Sequence, residues 1–235
     1  MDVKQQENTG SPTILLITQA RMGSTRLPGK IFEKIGSKSL LQIHLERVRE
    51  SKKISGILVA TTTSPEDDIV YEQSIKWGYQ SFRGSENDVL DRYFQAARNI
   101  KPDWVIRVTS DCPLIDAKLI DEVVEYALDK NFDYCANNLL EHYPDGQDIE
   151  IFTFEALARA WKEADKQSER EHVTPYIRYR TDNMGMKLFA VGSYDCETDY
   201  SKIRMTVDEP KDLELIKQLI GDLGLDNHGE YIPST

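Results

Sequence analysis

Three cationic side chains lie close together in the segment ARMGSTRLPGK, residues 20–30. Arg21, Arg26 and Lys30 are interleaved there with two glycines, two hydroxyl side chains and a proline, directly after the apolar run TILLIT. Guanidinium and ammonium groups beside accessible backbone N–H groups are suited to binding a polyphosphate. If the apolar run is a strand of a parallel sheet, the loop leaves it at the edge where ligands of such sheets bind. The segment is therefore a candidate phosphate-binding loop.

The spacing in this loop differs from that of the two common phosphate-binding motifs. A Walker A motif has four residues between its glycines and Ser or Thr after its lysine, whereas five residues separate Gly23 from Gly29 and Ile31 follows Lys30. The dinucleotide fingerprint GxGxxG is absent from the segment as well. A solvated basic loop that pairs with an acidic surface is the alternative, because charged loops are commonly only surface.

Two aspartates follow predicted strands at distant places in the chain. Asp111 falls just past the end of the β-branched run 103–109, and Asp208 follows the apolar run MTV. Two such carboxylates could together hold one Mg²⁺, which binds a couple of carboxylates, phosphate oxygens and water. The alternatives are a turn or helix-capping role for Asp111 and an N-cap role for Asp208, before the helix that Pro210 begins.

The elements that would position these residues alternate between strand and helix in the first half of the chain. The apolar and amphipathic patterns predict strands at 13–18, 56–62, 79–83, 103–109 and 132–138, and helices at 39–49, 64–77, 87–99 and 117–129. Such alternation favours an α/β fold with a mostly parallel, Rossmann-like sheet and helices on both faces. His44 lies in the apolar stripe of the helix at 39–49, where we expect it to pack.

The second half of the chain is less regular. Its patterns predict strands at 148–152, 187–192 and 202–207, and helices at 154–164, 171–180 and 210–223. There is no convincing domain boundary, so we expect a polar, flexible leader at 1–12 and a single domain at 13–235. This domain divides into a regular, nucleotide-type half at 13–137 and a more variable half at 138–235.

Composition narrows the class of protein further. The formal charge of −11 argues against nucleic-acid binding by bulk electrostatics, which needs a basic face, but permits a local basic pocket. Cys112, Cys135 and Cys196 are few and widely spaced, which predicts reduced thiols rather than a disulfide framework or a zinc site. The N-terminus is polar, unlike a signal peptide, and no apolar run has transmembrane length. A cytoplasmic protein without membrane insertion is the expectation.

Several segments taken in order resemble one family, the CMP-sugar synthetases or sugar-nucleotide cytidylyltransferases. The resemblance extends over about residues 14–220, and it is strongest to the spore coat polysaccharide biosynthesis protein F group and to 3-deoxy-manno-octulosonate cytidylyltransferase. The segments that carry it are QARMGSTRLPGK, VATTTSPEDD, FRGSENDVLDRY, RVTSDCPLID, PDGQDIEIF, REHVTPY and TVDEPKDLELI.

The resemblance implies a nucleotide-diphospho-sugar transferase fold of the GT-A-like type and a reaction. A hydroxyl of an acidic sugar, of the nonulosonic or ulosonic acid type, would attack CTP to give a CMP-sugar and pyrophosphate for surface polysaccharide synthesis, with Mg²⁺ as the cofactor. CTP and the sugar acid would be the substrates. The half at 138–235 would bind the sugar and form the contact of a homodimer.

The resemblance also implies roles for individual residues. The catalytic residues would be Arg21, Lys30 and Asp111, and the metal ligands Asp111 and Asp208. The nucleotide would be bound by Arg21, Gly23, Ser24, Arg26, Lys30, Ala60, Thr61, Thr62, Ser85 and Asp88. The sugar would be bound by Gly146, Gln147, Asp148, Glu150, Arg170, Glu171 and His172.

The chain departs from the octulosonate enzymes at three points. Ser110 stands where those enzymes have glycine before the metal aspartate, the strand GQDIEIF differs from their sugar-site strand, and they lack REHVTPY. The identity of the sugar is therefore open, and His172 has a structural or capping role as its alternative.

Two other functions remain open at the level of sequence. A GT-A-type glycosyltransferase has a similar sheet and uses a divalent metal, but normally has a DxD pair, whereas Ser110 and Cys112 flank Asp111. A non-catalytic nucleotide-binding homologue would bind CTP and Mg²⁺ without turning over a sugar. Both metal aspartates and the whole basic loop argue against this second alternative.

Overall fold

The structure is a computed structural model that describes residues 10–182 and 184–222. Most of the predicted leader at 1–12 and the end of the predicted helix at 210–223 lie outside these ranges.

One sheet of seven strands forms the centre of the fold, in the order β5-β4-β1-β6-β8-β7-β9. Strands β5, β4, β1 and β6 are parallel, β8 is antiparallel to both β6 and β7, and β9 is parallel to β7. Two short strands, β2 and β3, form a separate antiparallel pair. The strands are β1 (Ile14–Gln19), β2 (Lys34–Ile35), β3 (Lys38–Ser39), β4 (Gly56–Thr62), β5 (Gln80–Gly84), β6 (Trp104–Thr109), β7 (Tyr134–Ala136), β8 (Glu150–Thr153) and β9 (Val191–Ser193).

Helices cover both faces of this sheet, which confirms the predicted α/β class. The α3, α5 and α7 helices pack on one face, whereas α1, α2 and α4 pack on the other. The α8 helix packs against α1. The helices are α1 (Leu40–Val48), α2 (Asp68–Lys76), α3 (Val89–Arg98), α4 (Ala117–Asp129), α5 (Phe154–Glu163), α6 (Gln167–His172), α7 (Pro175–Tyr179) and α8 (Pro210–Asp222).

The apolar runs become strands because both of their faces are buried. In β1, Leu15 and Ile17 contact the α3 and α5 side of the core, and Ile14 and Leu16 contact the α4 side. All four are at most 2% exposed. A strand covered on both faces has no polar alternation, which explains the uninterrupted apolar pattern.

Several elements have the predicted bounds. The β4 strand and the α4 helix begin and end at the predicted residues. The helix predicted at 39–49 begins at a capping residue, because the Ser39 side chain accepts a hydrogen bond from the N–H of Gln42. Ser64 makes no such cap, and the predicted helix at 64–77 instead begins with a 3₁₀ turn at Pro65–Asp67 before α2.

Two predictions in the second half are wrong, and the strand predicted at 187–192 is reduced to Val191–Ser193. The helix predicted at 171–180 is two helices, α6 and α7, because Val173 takes a positive φ of 70° between them. The strand predicted at 202–207 is replaced by a single parallel bridge between Asp145 and Arg204. The segment around Asp145, which lies beside Arg204, is a loop rather than a strand, so the backbone pairing does not extend beyond that bridge.

Other expectations concern cysteines and membranes. Cys112, Cys135 and Cys196 are all free, which confirms the prediction of unpaired thiols. Within 10–182 and 184–222, no helix has both the length and the apolar character needed to cross a bilayer.

Candidate active site

A cavity of about 570 Å³ opens at the carboxyl ends of β1 and β6. It is lined by the ends of these two strands, by the loop after β1, by the start of α3 and by α6. The chain leaves β1 towards β4 on one side, while β6 pairs with β1 on the other. This is a topological switch point, where open α/β sheets bind their ligands.

The basic loop folds back on itself through backbone hydrogen bonds. The carbonyl of Met22 accepts from the N–H groups of Ser24 and Gly29 at 2.8 and 3.0 Å. The N–H of Met22 donates to the Asp67 carboxylate at 2.6 Å. Gly29 has a φ of 70°, a left-handed conformation that favours glycine, and it precedes the 3₁₀ turn Lys30–Phe32. This turn directs Lys30 inward, beneath the loop.

Lys30 joins three distant segments of the chain. Its ammonium group donates to Asp111 Oδ2 at 2.9 Å, to Asp208 Oδ1 at 2.9 Å and to the Val207 carbonyl at 2.7 Å. The residue is only 8% exposed. Burial alone would lower the pKa of Lys30, but Asp111 and Asp208 outweigh this effect and the pKa is raised. Lys30 is therefore a fixed cation at the wall of the cavity.

Asp208 receives two further cations. Arg26 and Arg204 each place a guanidinium nitrogen 2.9 Å from Asp208 Oδ2. Burial acts to raise the pKa of Asp208, but Lys30 and the arginines together lower it below the ordinary value. Asp212 in the first turn of α8 accepts the N–H of Asp208 at 3.0 Å and so orients the segment before the helix.

The turn after β6, which bears Asp111, is fixed by a buried histidine. His44 Nδ1 lies 2.9 Å from the Cys112 carbonyl, and its Nε2 lies 3.0 Å from Thr18 Oγ1. Because a carbonyl only accepts, Nδ1 bears the proton and Nε2 accepts from the Thr18 hydroxyl. Burial lowers the pKa of His44 to about 4, so the ring is neutral. The predicted packing role of His44 agrees with this position.

Asp111 and Asp208 are the carboxylates that could hold a magnesium ion together with a substrate, once the cations on Asp208 give way. Asp111 and Asp208 contact the same ammonium nitrogen, and Asp111 lines the cavity. Asp111 Oδ1 has only a weak contact with the Cys112 thiol, at 3.7 Å. Among the described residues there is no group of three or more His, Cys, Asp or Glu arranged for a metal. Mg²⁺ would therefore need phosphate oxygens and water to complete its shell, as it commonly does.

The predicted nucleotide-binding residues at the end of β4 do not line the cavity. Ala60, Thr61 and Thr62 are fully buried. The hydroxyl of Thr62 donates to Asp67, the same carboxylate that accepts the N–H of Met22. This strand end therefore supports the basic loop from below.

Ser85 and Asp88 form the cap of α3 rather than part of the cavity lining. Asp88 Oδ1 accepts the N–H of Asp91 at 2.9 Å, and Ser85 Oγ accepts the N–H of Asp88 at 3.1 Å. Arg170, predicted to contact the sugar, donates from Nε to Asp88 Oδ2 at 2.9 Å and from its terminal nitrogen to Trp161 at 2.6 Å. These contacts join α3, α5 and α6 beside the cavity.

Gly146 and Gln147 support the turn that follows β6. The Gln147 side chain accepts the N–H of Asp116 at 2.9 Å and donates to the Leu114 carbonyl at 2.8 Å. Gly146 has a φ of 107°, and a Cβ there would lie 2.8 Å from backbone atoms of Met205 and Thr206. Neither residue lines the cavity.

Glu150 is the centre of a buried polar network. It is 2% exposed, pairs with Arg107 and accepts hydrogen bonds from Tyr134 at 2.7 Å and Thr174 at 2.6 Å. Burial opposes ionisation, but Arg107 and these donors lower the pKa of Glu150. Glu150 reaches the cavity only through Arg107, which does line it.

The remaining predicted sugar residues are accessible. Glu171 and His172 are exposed and line the cavity from α6. Asp148 is exposed but does not line the cavity, and the packing around its carboxyl group, together with Asp145 and Glu150, raises its pKa to about 6. Of the predicted set, the structure thus brings to the cavity Arg21, Gly23, Ser24, Arg26, Lys30, Asp111, Glu171 and His172.

Sequence reasoning missed several residues that line the cavity. Arg92 lies in α3, where its spacing resembles that of a surface arginine on an amphipathic helix. Arg107 and Thr109 lie on β6, and alternation along the strand could have placed both on the cavity side. The other missed lining residues include Gln19, Thr25, Glu86, Asn87 and Gln167.

The family is established by the match of the whole domain. The profile described as cytidylyltransferase matches residues 15–232. The chain belongs to the cytidylyltransferase family. As a cytidylyltransferase, it is a nucleotidyltransferase, which confirms the enzyme class implied by its motifs.

Two relatives cover most of this cytidylyltransferase chain. An uncharacterized protein of Methanocaldococcus jannaschii is 44% identical over 210 residues, which are 88% of this chain and 82% of that protein. Spore coat polysaccharide biosynthesis protein SpsF of Bacillus subtilis is 36% identical over 218 residues, with coverage of 90% and 88%.

Solved structures agree with this assignment. A cytidylyltransferase from Leptospira borgpetersenii superposes with a TM-score of 0.79 at 33% identity, covering 94% of this chain and 98% of that one. A CMP:2-keto-3-deoxy-manno-octonic acid synthetase complexed with CTP superposes with a TM-score of 0.65, covering 90% and 99%. At 18% identity, the second likeness shows the shared fold alone.

Proposed function

We propose that this cytidylyltransferase transfers CMP from CTP to a hydroxyl of an acidic sugar, of the nonulosonic or ulosonic acid type, for surface polysaccharide synthesis. The observation that supports the reaction best is the pair Lys30 and Asp111 at the wall of the cavity, with Asp208, which does not line the cavity, bound to the same ammonium group. It provides a fixed cation and two carboxylates beside the exposed cations Arg21 and Arg26.

The comparisons support the choice of substrates. The B. subtilis relative is named for spore coat polysaccharide biosynthesis. A 3-deoxy-manno-octulosonate cytidylyltransferase of Elusimicrobium minutum is 29% identical over 113 residues, covering 47% of this chain and 44% of that enzyme. The octonic acid synthetase of the same fold contains CTP. These names favour CTP and a sugar acid, in the cytoplasm where CTP is available.

The proposed reaction is a displacement at phosphorus. The sugar hydroxyl oxygen forms a bond to the α-phosphorus of CTP, and the bond from that phosphorus to the bridging oxygen of the β-phosphate breaks. The electron pair leaves with pyrophosphate, and the hydroxyl proton passes to water. Such chemistry needs alignment and charge neutralisation more than covalent participation by the protein.

The residues of the cavity would divide this work. Lys30 is held rigidly by three hydrogen bonds, so it can neutralise developing charge without reorganising. Arg21 and Arg26 are about half exposed and can close on the triphosphate. Asp111 and Asp208 would hold Mg²⁺, which supplies further neutralisation of phosphate oxygens when it is bound. Glu171 and His172 lie where α6 can meet the sugar.

The decisive experiment is a screen of the four nucleoside triphosphates against candidate sugar acids, with Mg²⁺ present and pyrophosphate release measured. We expect release with CTP and one acidic sugar. A preference for UTP, GTP or ATP would contradict the cytidylyl step. Free nucleoside diphosphate without pyrophosphate would indicate a glycosyltransferase, and CTP binding without turnover in every combination would indicate a non-catalytic homologue.

We also propose that two copies associate through the second half of the chain. Tyr179, Met184 and Met186 are 61%, 84% and 65% exposed, and three large apolar side chains so close together in sequence suit an interface. Sedimentation of the wild type should give a dimer, and replacement of Met184 and Met186 by glutamate should shift it to a monomer. A monomeric wild type at micromolar concentration would contradict this proposal.

A further inference from the structure

Arg92 is a buried cation, and no carboxylate of the described residues forms an ion pair with it. It is 3% exposed and lines the cavity from α3. One terminal nitrogen donates to the Ser85 carbonyl at 2.6 Å, while Nε has no hydrogen-bond partner in the described part of the chain. A buried charge without a counter-ion is costly, so proteins usually pair it.

The carboxylates near Arg92 bind other groups. Asp67 influences Arg92 but accepts hydrogen bonds from Met22 and Thr62. Glu86 lies 3.6 Å from Arg21 and is half exposed. Burial above all lowers the pKa of Arg92, and the cation of Arg21 lowers it further. Two arginines therefore face the same part of the cavity with an unbalanced positive charge.

The fold holds Arg92 in this position. Gly84 ends β5, and a Cβ there would lie 3.0 Å from Arg92 Cγ and 3.2 Å from its Cβ. The aliphatic part of the arginine thus packs across the end of the strand, where only glycine leaves room. Arg107, a partly buried arginine of the same cavity, is neutralised by Glu150. Arg92 differs from it in lacking such a partner.

We propose that Arg92 and Arg21 form an oxyanion-binding subsite that takes a phosphate group of the nucleoside triphosphate. The proposal of an oxyanion subsite stands on the geometry of Arg92, and only the identity of the ligand, a nucleoside triphosphate, rests on the proposed function. A guanidinium group binds a phosphate or a carboxylate with the same donors, so the sugar carboxylate is the other source of this chemistry. The phosphate is favoured because Arg21 belongs to the basic loop that surrounds Lys30.

The test compares the wild type with Arg92→Met, Arg92→Lys and the control Arg98→Met, which alters an exposed arginine of the same helix. Binding of CTP, of pyrophosphate and of uncharged cytidine is measured by calorimetry. For Arg92→Met we expect about ten- to hundredfold weaker binding of CTP and pyrophosphate, as for a lost charged hydrogen bond, and unchanged binding of cytidine. Arg92→Lys should keep part of the affinity, and Arg98→Met all of it.

Thermal unfolding separates binding from a structural role. Without ligand, Arg92→Met should unfold at the same temperature as the wild type or higher, since the variant removes an unpaired buried charge. Pyrophosphate should stabilise the wild type but not the variant. A lower unfolding temperature together with equal losses for cytidine and CTP would show that Arg92 is structural and would overturn the proposal.

The remaining outcomes distinguish the source of the anion and the status of the reaction. If CTP and pyrophosphate bind Arg92→Met normally but the KM for the sugar acid rises at least tenfold at constant kcat, the oxyanion is the sugar carboxylate. If neither the nucleotide nor the sugar acid is affected in the folded variant, there is no subsite. A wild type that binds CTP through Arg92 yet releases no pyrophosphate would sink the proposed reaction and leave the subsite intact.

Discussion

Lys30 separates two carboxylates that would otherwise repel each other. Asp111 and Asp208 both lie 2.9 Å from its ammonium nitrogen. The three groups depend on one another, since each carboxylate raises the pKa of Lys30 and Lys30 lowers that of Asp208. The same side chain therefore provides local stability and the charge that we propose for catalysis.

Lys30→Ala should lower turnover at least about a hundredfold, since loss of one preorganised group of this kind costs on the order of 2.7–4 kcal/mol in the barrier. The variant should also unfold at a lower temperature, and Mg²⁺ should restore part of the loss by taking over the neutralisation of both aspartates. Pyrophosphate release and thermal unfolding with and without Mg²⁺ measure the two effects. Lys34→Ala, an exposed lysine of the adjoining hairpin, is the control. Wild-type turnover by a folded Lys30→Ala protein would contradict the assignment.

At the scale of elements, segments with a regular apolar pattern were predicted correctly, whereas features that depend on tertiary packing were not. The β4 strand and the α4 helix have the predicted bounds because the first is a short run of apolar and β-branched residues and the second has a regular helical apolar stripe. The break at Val173 has no local signal, since a β-branched residue disfavours positive φ. The segment 202–207 has the pattern of a strand but lies against a loop.

The candidate site, like the fold, was predicted in part from the sequence. The basic loop and Asp111 were found because their residue types and their places after apolar runs indicate phosphate chemistry. Arg92 could not be found in this way, since an arginine on an amphipathic helix gives no sign that the end of β5 buries it. The residues at the end of β4 were assigned to the nucleotide by resemblance, whereas the structure places them beneath the loop.

His44 should make stability depend on pH, because it joins α1 to β1 and to the turn after β6. Its pKa in the folded protein is about 4 against an ordinary 6.5. The unfolded chain therefore takes up the proton first, so stability is complete above pH 6.5 and is lost as the pH falls towards 4. The full difference corresponds to about 3 kcal/mol. Urea denaturation at several values between pH 4 and 7 gives the free energy of unfolding as a function of pH. This free energy should change less with pH in His44→Gln than in the wild type; an equal dependence on pH would contradict the prediction.

Gly146 should tolerate no side chain, because it lets the loop before β8 approach the segment that leads to Asp208. Gly146→Ala combines a φ of 107° with contacts of 2.8 Å to the backbone of Met205 and Thr206, and should cost about 2–4 kcal/mol. Gly78→Ala is a matched control, since Gly78 has a φ of 85° but nothing within 4 Å of a Cβ. Chemical denaturation should show a clearly larger loss for Gly146→Ala. Equal losses would mean that the close approach is unimportant.

At the scale of the molecule, the charge of the cavity is opposite in sign to the net charge of the chain. The chain has a net charge of −11, yet five cationic side chains line the cavity against three carboxylates. The cavity is therefore a positive region within an acidic surface, which would draw a polyphosphate to this place and keep it from the rest of the surface. All five cations come from the half at 13–137, where the loop after β1, the α3 helix and the β6 strand meet only in the assembled sheet.

Glu150 should be indispensable to this assembly, since it connects β8 with β6, β7 and the start of α7. Glu150→Gln would remove the buried counter-charge of the partly buried Arg107, and we expect a loss of about 3–5 kcal/mol in the free energy of unfolding. Glu155→Gln, on the exposed side of α5, should change little. Urea denaturation measures both; a loss below about 1 kcal/mol in Glu150→Gln would show that the network is dispensable, on the scale of an ordinary hydrogen bond.

The place of β8 has a consequence for how the chain is made. It lies between β6 and β7 although it follows both in the sequence. During synthesis from the N-terminus, the inner edges of these two strands stay open until residues 150–153 have emerged from the ribosome. Open edges are sites of aberrant pairing. A nascent chain that pauses between residues 137 and 149 is therefore at its most vulnerable, and a fragment ending there should aggregate when expressed alone.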